Sequence, residues 1–169
     1  MPNICLFFGS TTGHTDHVAD LIKHEMGDAL TSVNDIHNAS AEDLESADAL
    51  ILGVPTWNEG ELQDDWDRFL PTMDHLDLSG KKVALFGLGD AAAYTNEFAD
   101  GLGTLYQKVR QCGAEVVGAW PIEDYEFLRS KAVEGDHFVG LVIDEDNQPD
   151  RTEQRVHDWV EMIQPVLAG

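Results

Sequence analysis

Apolar and polar positions along this chain fall into two alternating rhythms. Residues 4–8, 49–54 and 82–86 are apolar nearly throughout, as expected of strands buried on both faces. Residues 31–36 form a weaker, more polar strand suited to a sheet edge, and Glu115–Val117 begins a fifth. Between these runs the apolar residues recur at helical spacing. Residues 12–26 carry Val18, Ala19, Ile22 and Met26; 64–70 carry Trp66, Phe69 and Leu70; 98–111 form a helix ended by Gly113. The last helix spans 152–167, with Val156, Trp159, Val160 and Ile163 on one stripe. Alternating strands and helices predict an α/β domain with a doubly wound, five-stranded parallel sheet, because parallel strands need crossovers. The expected strand order is 2-1-3-4-5, with ligands outside the carboxyl ends of strands 1, 3 and 4. No linker or repeat divides the chain, so residues 1–169 are expected to form one domain. One stretch breaks the rhythm. Residues 119–138 mix acids, aromatics and glycine before Val139-Gly-Leu-Val-Ile143 turns apolar again. The reading is a fifth strand interrupted by a loop of about twenty residues, a length usually functional or marginally ordered.

Charge narrows the partners. There are 32 acidic residues against 10 Lys and Arg, a net charge of −22. Such a chain repels nucleic acid and anionic membrane and attracts basic proteins. No Lys or Arg lies between Lys23 and Arg68. Adaptation to a salty cytoplasm gives the same composition. No apolar run approaches the ~20 residues that cross a bilayer. Met1-Pro2-Asn3 has no basic leader character, so a cytoplasmic protein is expected. Cys5 reads as a buried strand residue and Cys112, before Gly113, as partly exposed; no spacing suggests a metal site. His17 and His24 share a solvated helix face.

Candidate chemistry gathers at three strand ends. After the first comes Gly9-Ser10-Thr11-Thr12-Gly13-His14-Thr15, a strand-to-helix turn that directs backbone N–H groups and hydroxyls at an anion. It holds no Lys or Arg, unlike a Walker A loop, and lacks the Gly-x-Gly-x-x-Gly of dinucleotide sites. After strand 3 comes Pro55-Thr56-Trp57-Asn58-Glu59-Gly60-Glu61-Leu62, and after strand 4 Gly87-Leu88-Gly89-Asp90-Ala91-Ala92-Ala93-Tyr94. Both place an aromatic just past a parallel strand. Trp57 and Tyr94 beside a dipolar phosphate turn suggest a flat ligand with a phosphate tail.

Five motifs, in this order and spacing, now identify a resemblance. They are Ser10-x-Thr12-Gly13-x-Thr15, Pro55-Thr56-Trp57-x-x-Gly60-Glu61, Gly87-x-Gly89-Asp90-x-x-x-Tyr94, Phe138-Val139-Gly140-Leu141 and Asp144-Glu145-Asp146-Asn147-Gln148. Over its whole length the chain resembles a flavodoxin, and the interrupted last strand is similar to the long-chain class. The resemblance implies a small electron carrier with non-covalently bound FMN. It implies that Ser10, Thr11, Thr12, Gly13, His14 and Thr15 hold the phosphate and that Trp57 and Tyr94 stack on the two ring faces. Backbone groups of Thr56, Trp57, Asn58, Glu59 and Gly60, and of 88–97 with Leu88, Gly89, Asp90 and Glu97, are then expected along the ring edge. Departures from the common pattern fall at His14, at Ala91-Ala92-Ala93, at Glu59 and at Glu97.

The functional expectation is a low-potential one-electron carrier, since acids crowd the ring and no cation neutralises the phosphate turn. It would work as a monomer, taking electrons from a basic reductase and passing them to acceptor proteins by charge steering, with no metal, nucleic acid or membrane involved. No residue is placed as a nucleophile or acid–base pair, so no enzyme turnover is expected. A flavin-dependent NAD(P)H or quinone reductase on the same fold is the alternative, and it would need a second, more basic site. A phosphorelay receiver would need an acidic pair after strand 1, an Asp after strand 3 and a Lys after strand 5; Gly9-Ser10, Val54-Pro55-Thr56 and Asp144-Glu145 stand there instead.

Overall fold

Strand β1 (Ile4–Phe8) lies between β2 (Ser32–Asp35) and β3 (Ala49–Trp57), and β5 (Lys82–Leu88) flanks β3 on the other side, all parallel. The computed structural model describes residues 2–9, 13–57 and 61–169, so Ser10, Thr11, Thr12, Asn58, Glu59 and Gly60 lie outside the described residues. The fifth strand position is filled twice. β6 (Glu115–Val117) pairs with Lys82 to Ala84 of β5, and β10 (Leu141–Ile143) pairs with Phe86 to Leu88. The two halves run end to end along β5, which gives the order 2-1-3-4-5 with the last strand interrupted, as the sequence predicts. A short β4 (Glu61–Leu62) folds back antiparallel on the end of β3.

Side chains alternate across the sheet, and each face has its own core. Cys5, Phe7, Leu50, Leu52, Val83 and Leu85 face α3 (Asp64–Met73) and α4 (Asp100–Gln111). Ile4, Leu6, Ile51, Ala84 and Phe86 face α1 (His14–Met26) and α5 (Thr152–Ala168). The period of two in a strand buried on both faces therefore feeds two apolar layers at once. A helix absent from the sequence reading, α2 (Ala41–Glu45), begins at Ser40 with a capping box to Asp43 and buries Leu44. Cys112 corrects an expectation: it is buried, and its Sγ donates to the Met73 carbonyl at 3.2 Å. Packing of the α4 end against α3 closes over it, and burial pushes its thiol above the usual range. No described helix is long and apolar enough to cross a membrane.

The interruption is an ordered small sheet, where the sequence suggested a loop. β7 (Trp120–Pro121), β8 (Val133–Glu134) and β9 (His137–Phe138) pair antiparallel, with β9 in the middle. Strands of two residues are too short to hold themselves. They are held by an aromatic cluster on Phe98, which lies 5.2 Å from Phe127, 5.9 Å from Phe138 and 6.1 Å from Tyr125, centroid to centroid. Arg155 of α5 stacks over the Tyr125 ring at 4.0 Å, and the Tyr125 hydroxyl donates to the Val142 carbonyl. A desolvated cation on an aromatic face is worth about 2 kcal/mol.

Two outcomes test this packing. A Cβ on Gly53 would fall 2.0 Å from Phe86 Cζ in the closed core between β3 and β5. Gly53→Ala is expected to cost about 1–3 kcal/mol through overpacking, read as a lower urea midpoint of the apoprotein; an unchanged midpoint refutes the contact. The second concerns His157 on α5. Its Nδ1 lies 2.8 Å from Glu25 Oε2 on α1, and its Nε2 3.2 Å from Glu161 Oε1. The Glu25 hydrogen bond and charge, aided by Glu161, raise its pKa above the ordinary 6.5. A raised folded pKa contributes stability that is whole below the unfolded value and lost as pH rises through the folded one. Thermal unfolding midpoints should therefore fall less steeply above pH 6.5 in His157→Gln than in the parent chain. Equal slopes would show that the pair contributes nothing.

Candidate functional site

β1 hands the chain to α1 on one face of the sheet, and β3 hands it to α3 on the other. The strand ends separate there, and a cleft opens outside their carboxyl ends. It is lined by His14, Pro55, Thr56, Leu88, Gly89, Asp90, Tyr94, Glu145 and Asp146 and has a volume of about 200 Å³. Of the residues singled out from sequence, His14, Thr56, Leu88, Gly89, Asp90 and Tyr94 share this cleft. Gly13 and Thr15 stand at the start of α1, and the backbone of Trp57 closes β3 above it. Glu97 does not join them: it lines a separate hollow with Phe127, Leu128 and Arg129.

The first turn of α1 has no side-chain cap among the described residues. Gly13 occupies its N-cap position in the left-handed region, φ 89°, where an L-residue is strained. A helix start with this end of its dipole turned to a ligand cleft favours an anion. Thr15, the second residue of α1, is buried at 1% exposure.

The second wall is the 89–97 segment. Gly89 lets it pass close to the start of α4, because a Cβ there would sit 2.9 Å from the Ala99 nitrogen. Gly89 N–H donates to the Ile143 carbonyl at 3.1 Å, and Tyr94 N–H donates to the Asp90 carbonyl at 2.9 Å, which folds Tyr94 over the cleft. Across from it, Gly101 N–H of α4 donates to Thr56 Oγ1 at 2.8 Å and fixes the end of β3.

Acids supply the charge. Asp90, Glu145 and Asp146 line the cleft, and no Lys or Arg does so among the described residues. Burial pulls the Asp90 carboxyl up, but bonds from the Ala93 backbone, the Asn147 side chain and the Ala92 backbone outweigh it and leave it below the usual range. Asp146 moves the other way: burial raises it, Asp90 adds to the rise, and His14 opposes it. Glu145 and Asp146 were not among the sequence candidates. Their signal was the acidic motif at 144–148, which lies beside the cleft only because β10 pairs with β5. The arrangement can bind a planar group against Tyr94 with an anionic end toward α1, and it disfavours added negative charge.

Comparison with known proteins gives the same direction. The family model for flavodoxin matches residues 6–159. The chain is 48% identical over 168 residues to a flavodoxin of Synechocystis, covering 99% of each chain. It is 48% identical over 163 residues to flavodoxin 1 of Escherichia coli, covering 96% of this chain and 93% of the other. Among solved structures it is similar to a Fusobacterium nucleatum flavodoxin bound to flavin mononucleotide, with TM-score 0.93 and 31% identity over 98% of this chain and 99% of that one.

Proposed function

The chain belongs to the flavodoxin family, and from that premise we propose how its cleft operates. The protein is an electron carrier that holds FMN non-covalently, and it is not an enzyme. The observation that carries the reading is the meeting, in one cleft, of the α1 start with the Tyr94 wall. FMN when bound supplies one-electron chemistry that no side chain has.

Each part of the cleft then has its own role. Ser10, Thr11, Thr12, Gly13, His14 and Thr15 hold the phosphate with neutral hydroxyls and backbone N–H groups at the positive end of α1. Trp57 and Tyr94 take the two faces of the ring and keep water from it. Backbone groups of Thr56, Asn58, Glu59 and Gly60, and of Leu88, Gly89 and Asp90, hold its edge; the separate hollow at Glu97 argues for that side chain standing apart from the ring. Asp90, Glu145 and Asp146 oppose the negative charge that reduction brings, which favours a strongly reducing carrier. The open mouth leaves the ring edge accessible to partners without release of the cofactor. The acid excess favours basic partners, a reductase on one side and redox acceptors on the other, met by a monomer.

Three measurements test this. The purified protein, or its apoprotein titrated with FMN, should show the bound flavin's absorbance; a protein that takes up no flavin refutes the reading. Thr12→Ala with Thr15→Ala should weaken FMN by about ten- to a hundredfold, since each hydroxyl bond contributes roughly 0.5–1.5 kcal/mol. Riboflavin, which lacks the phosphate, should lose far less. Equal losses for both ligands would take the phosphate away from this turn. Association with a basic flavodoxin reductase should slow as salt rises, because exposed charges are screened over about 8 Å at 0.15 M. A rate independent of ionic strength removes charge steering.

A further inference from the structure

Asp144 follows β10 and is only 2% exposed, yet no Lys, Arg or His lies within ion-pair distance of it among the described residues. Its carboxyl only accepts. It takes the Ala91 N–H at 3.2 Å, the Asn147 N–H at 3.1 Å, and the Asn147 side-chain amide at 3.0 Å to each oxygen. The same Asn147 amide nitrogen donates to Asp90 Oδ1 at 2.8 Å. Asp90 Oδ1 also takes the Ala93 N–H at 3.0 Å.

Both hydrogens of the Asn147 amide are therefore committed, one to each of two carboxyls on different segments. Asp90, Asp144 and Asp146 place their oxygens within 4.8 Å of one another. Like charges at that spacing repel, and Asn147 supplies the one side-chain donor among the described residues that bonds both carboxyls, beside the backbone ties from Gly89 N–H to the Ile143 carbonyl and from Ala91 N–H to Asp144. The segment of Asp90 also carries Tyr94. Ala91 N–H bonds the Asp144 carboxyl, Ala93 N–H bonds Asp90 Oδ1 and Tyr94 N–H bonds the Asp90 backbone carbonyl, so the backbone that carries the Tyr94 ring is continuous with this bridge.

We infer that Asn147, bridging Asp90 and Asp144, is a positioning residue that locks the Tyr94 wall to the end of β10 and so shapes the ring-binding half of the cleft. This rests on the reading of the cleft as the FMN site. The acidic motif at 144–148 is thereby accounted for, since Asp144 receives the loop and Asn147 keeps two acids in one place. Asn147 bonds the segments of Asp90 and Asp144, on the Tyr94 side of the cleft, whereas its neighbour Glu145 lies 3.6 Å from His17 Nε2 of α1.

The test uses Asn147→Ala, a substitution at an exposed position, with Asp144→Asn and the double variant. In Asn147→Ala, FMN and riboflavin should weaken by the same factor, about tenfold for the bridging bonds to charged groups. The visible circular dichroism of bound flavin should change, because the stacked aromatic moves. The double variant should bind about as weakly as the weaker single variant, as expected of residues acting as one unit. A merely structural role would lower the urea midpoint of the apoprotein and leave flavin affinity and visible dichroism as they are, and that result overturns the inference. Losses that multiply in the double variant also overturn it. If Asp144→Asn does not fold, the affinities and dichroism of Asn147→Ala decide alone. A parent chain that takes up no FMN defeats the reading of the cleft itself, whereas a parent that binds FMN beside an equally tight Asn147→Ala defeats only the lock.

Discussion

The Gly53 carbonyl accepts from Trp66 Nε1 at 2.8 Å and from Gly9 N–H at 3.2 Å, and the cleft depends on that shared acceptor. It joins three elements at one point: the end of β1, the middle of β3 and the first turns of α3. Gly53 stands there because the space a side chain would take is filled by Phe86 of the neighbouring strand. β3 and β5 pair in parallel register from Ala49 and Lys82 to Pro55 and Leu88. Parallel pairing sends every crossover back to the same edge, so the segments after β1, β3 and β5 must emerge together. The site is thus a consequence of strand direction, and Gly53 sets how close its parts come.

The charge pattern around that edge is a balance of local donors. A net charge of −22 leaves the chain few cations, and none of the described cleft lining is Lys or Arg. Glu145 lies 3.6 Å from His17 Nε2, whereas Asp90 and the neighbouring Asp144 are held by backbone N–H groups and by one amide. Such neutral donors hold a carboxylate in place without cancelling its field. A cation at the same point would fix the loop equally well and would make reduction of a bound ring easier. The choice of Asn147 over Lys or Arg therefore keeps geometry and electrostatics separate, with the loop ordered and the negative potential kept.

The parts of the fold governed by burial were legible in the sequence. Strands 1, 3 and 4 announce themselves because two-sided burial demands unbroken apolar runs, and Tyr94 stood out as an aromatic past a strand end; Trp57, expected in the loop after strand 3, is the last residue of β3. The parts governed by tertiary contact were not. Helix α2 is five residues long, too short for periodicity, although Ser40 and Asp43 carried its capping signal. Cys112 looked exposed because the sequence shows the helix end and not the α3 backbone lying over it. Glu97 was grouped with its sequence neighbours, yet Ala99 turns the chain with φ 55° two residues later and Glu97 lines another hollow. The 144–148 motif was visible as a pattern, but its nearness to Asp90 is a product of β10 pairing with β5.

The small sheet between β6 and β10 makes sense in the same terms. Its two-residue strands gain little from their own ladder, so the aromatic cluster on Phe98 must order it. Phe98 lies just downstream of Tyr94, and the insert grips that stretch directly. Leu128 and Arg129 N–H groups donate to the Thr95 carbonyl at 2.9 and 3.0 Å, and Phe98 N–H donates to the Arg129 carbonyl at 3.1 Å. The Tyr94 segment is thus tied at its start to β10 and at its end to the insert. The first tie comes from the second half of the fifth strand and the other from the insert that splits it. An uninterrupted fifth strand would leave the second tie without an anchor, and the Tyr94 segment would be held from one side only. The interruption therefore contributes to the cleft through the backbone it holds, although its own side chains line a different surface.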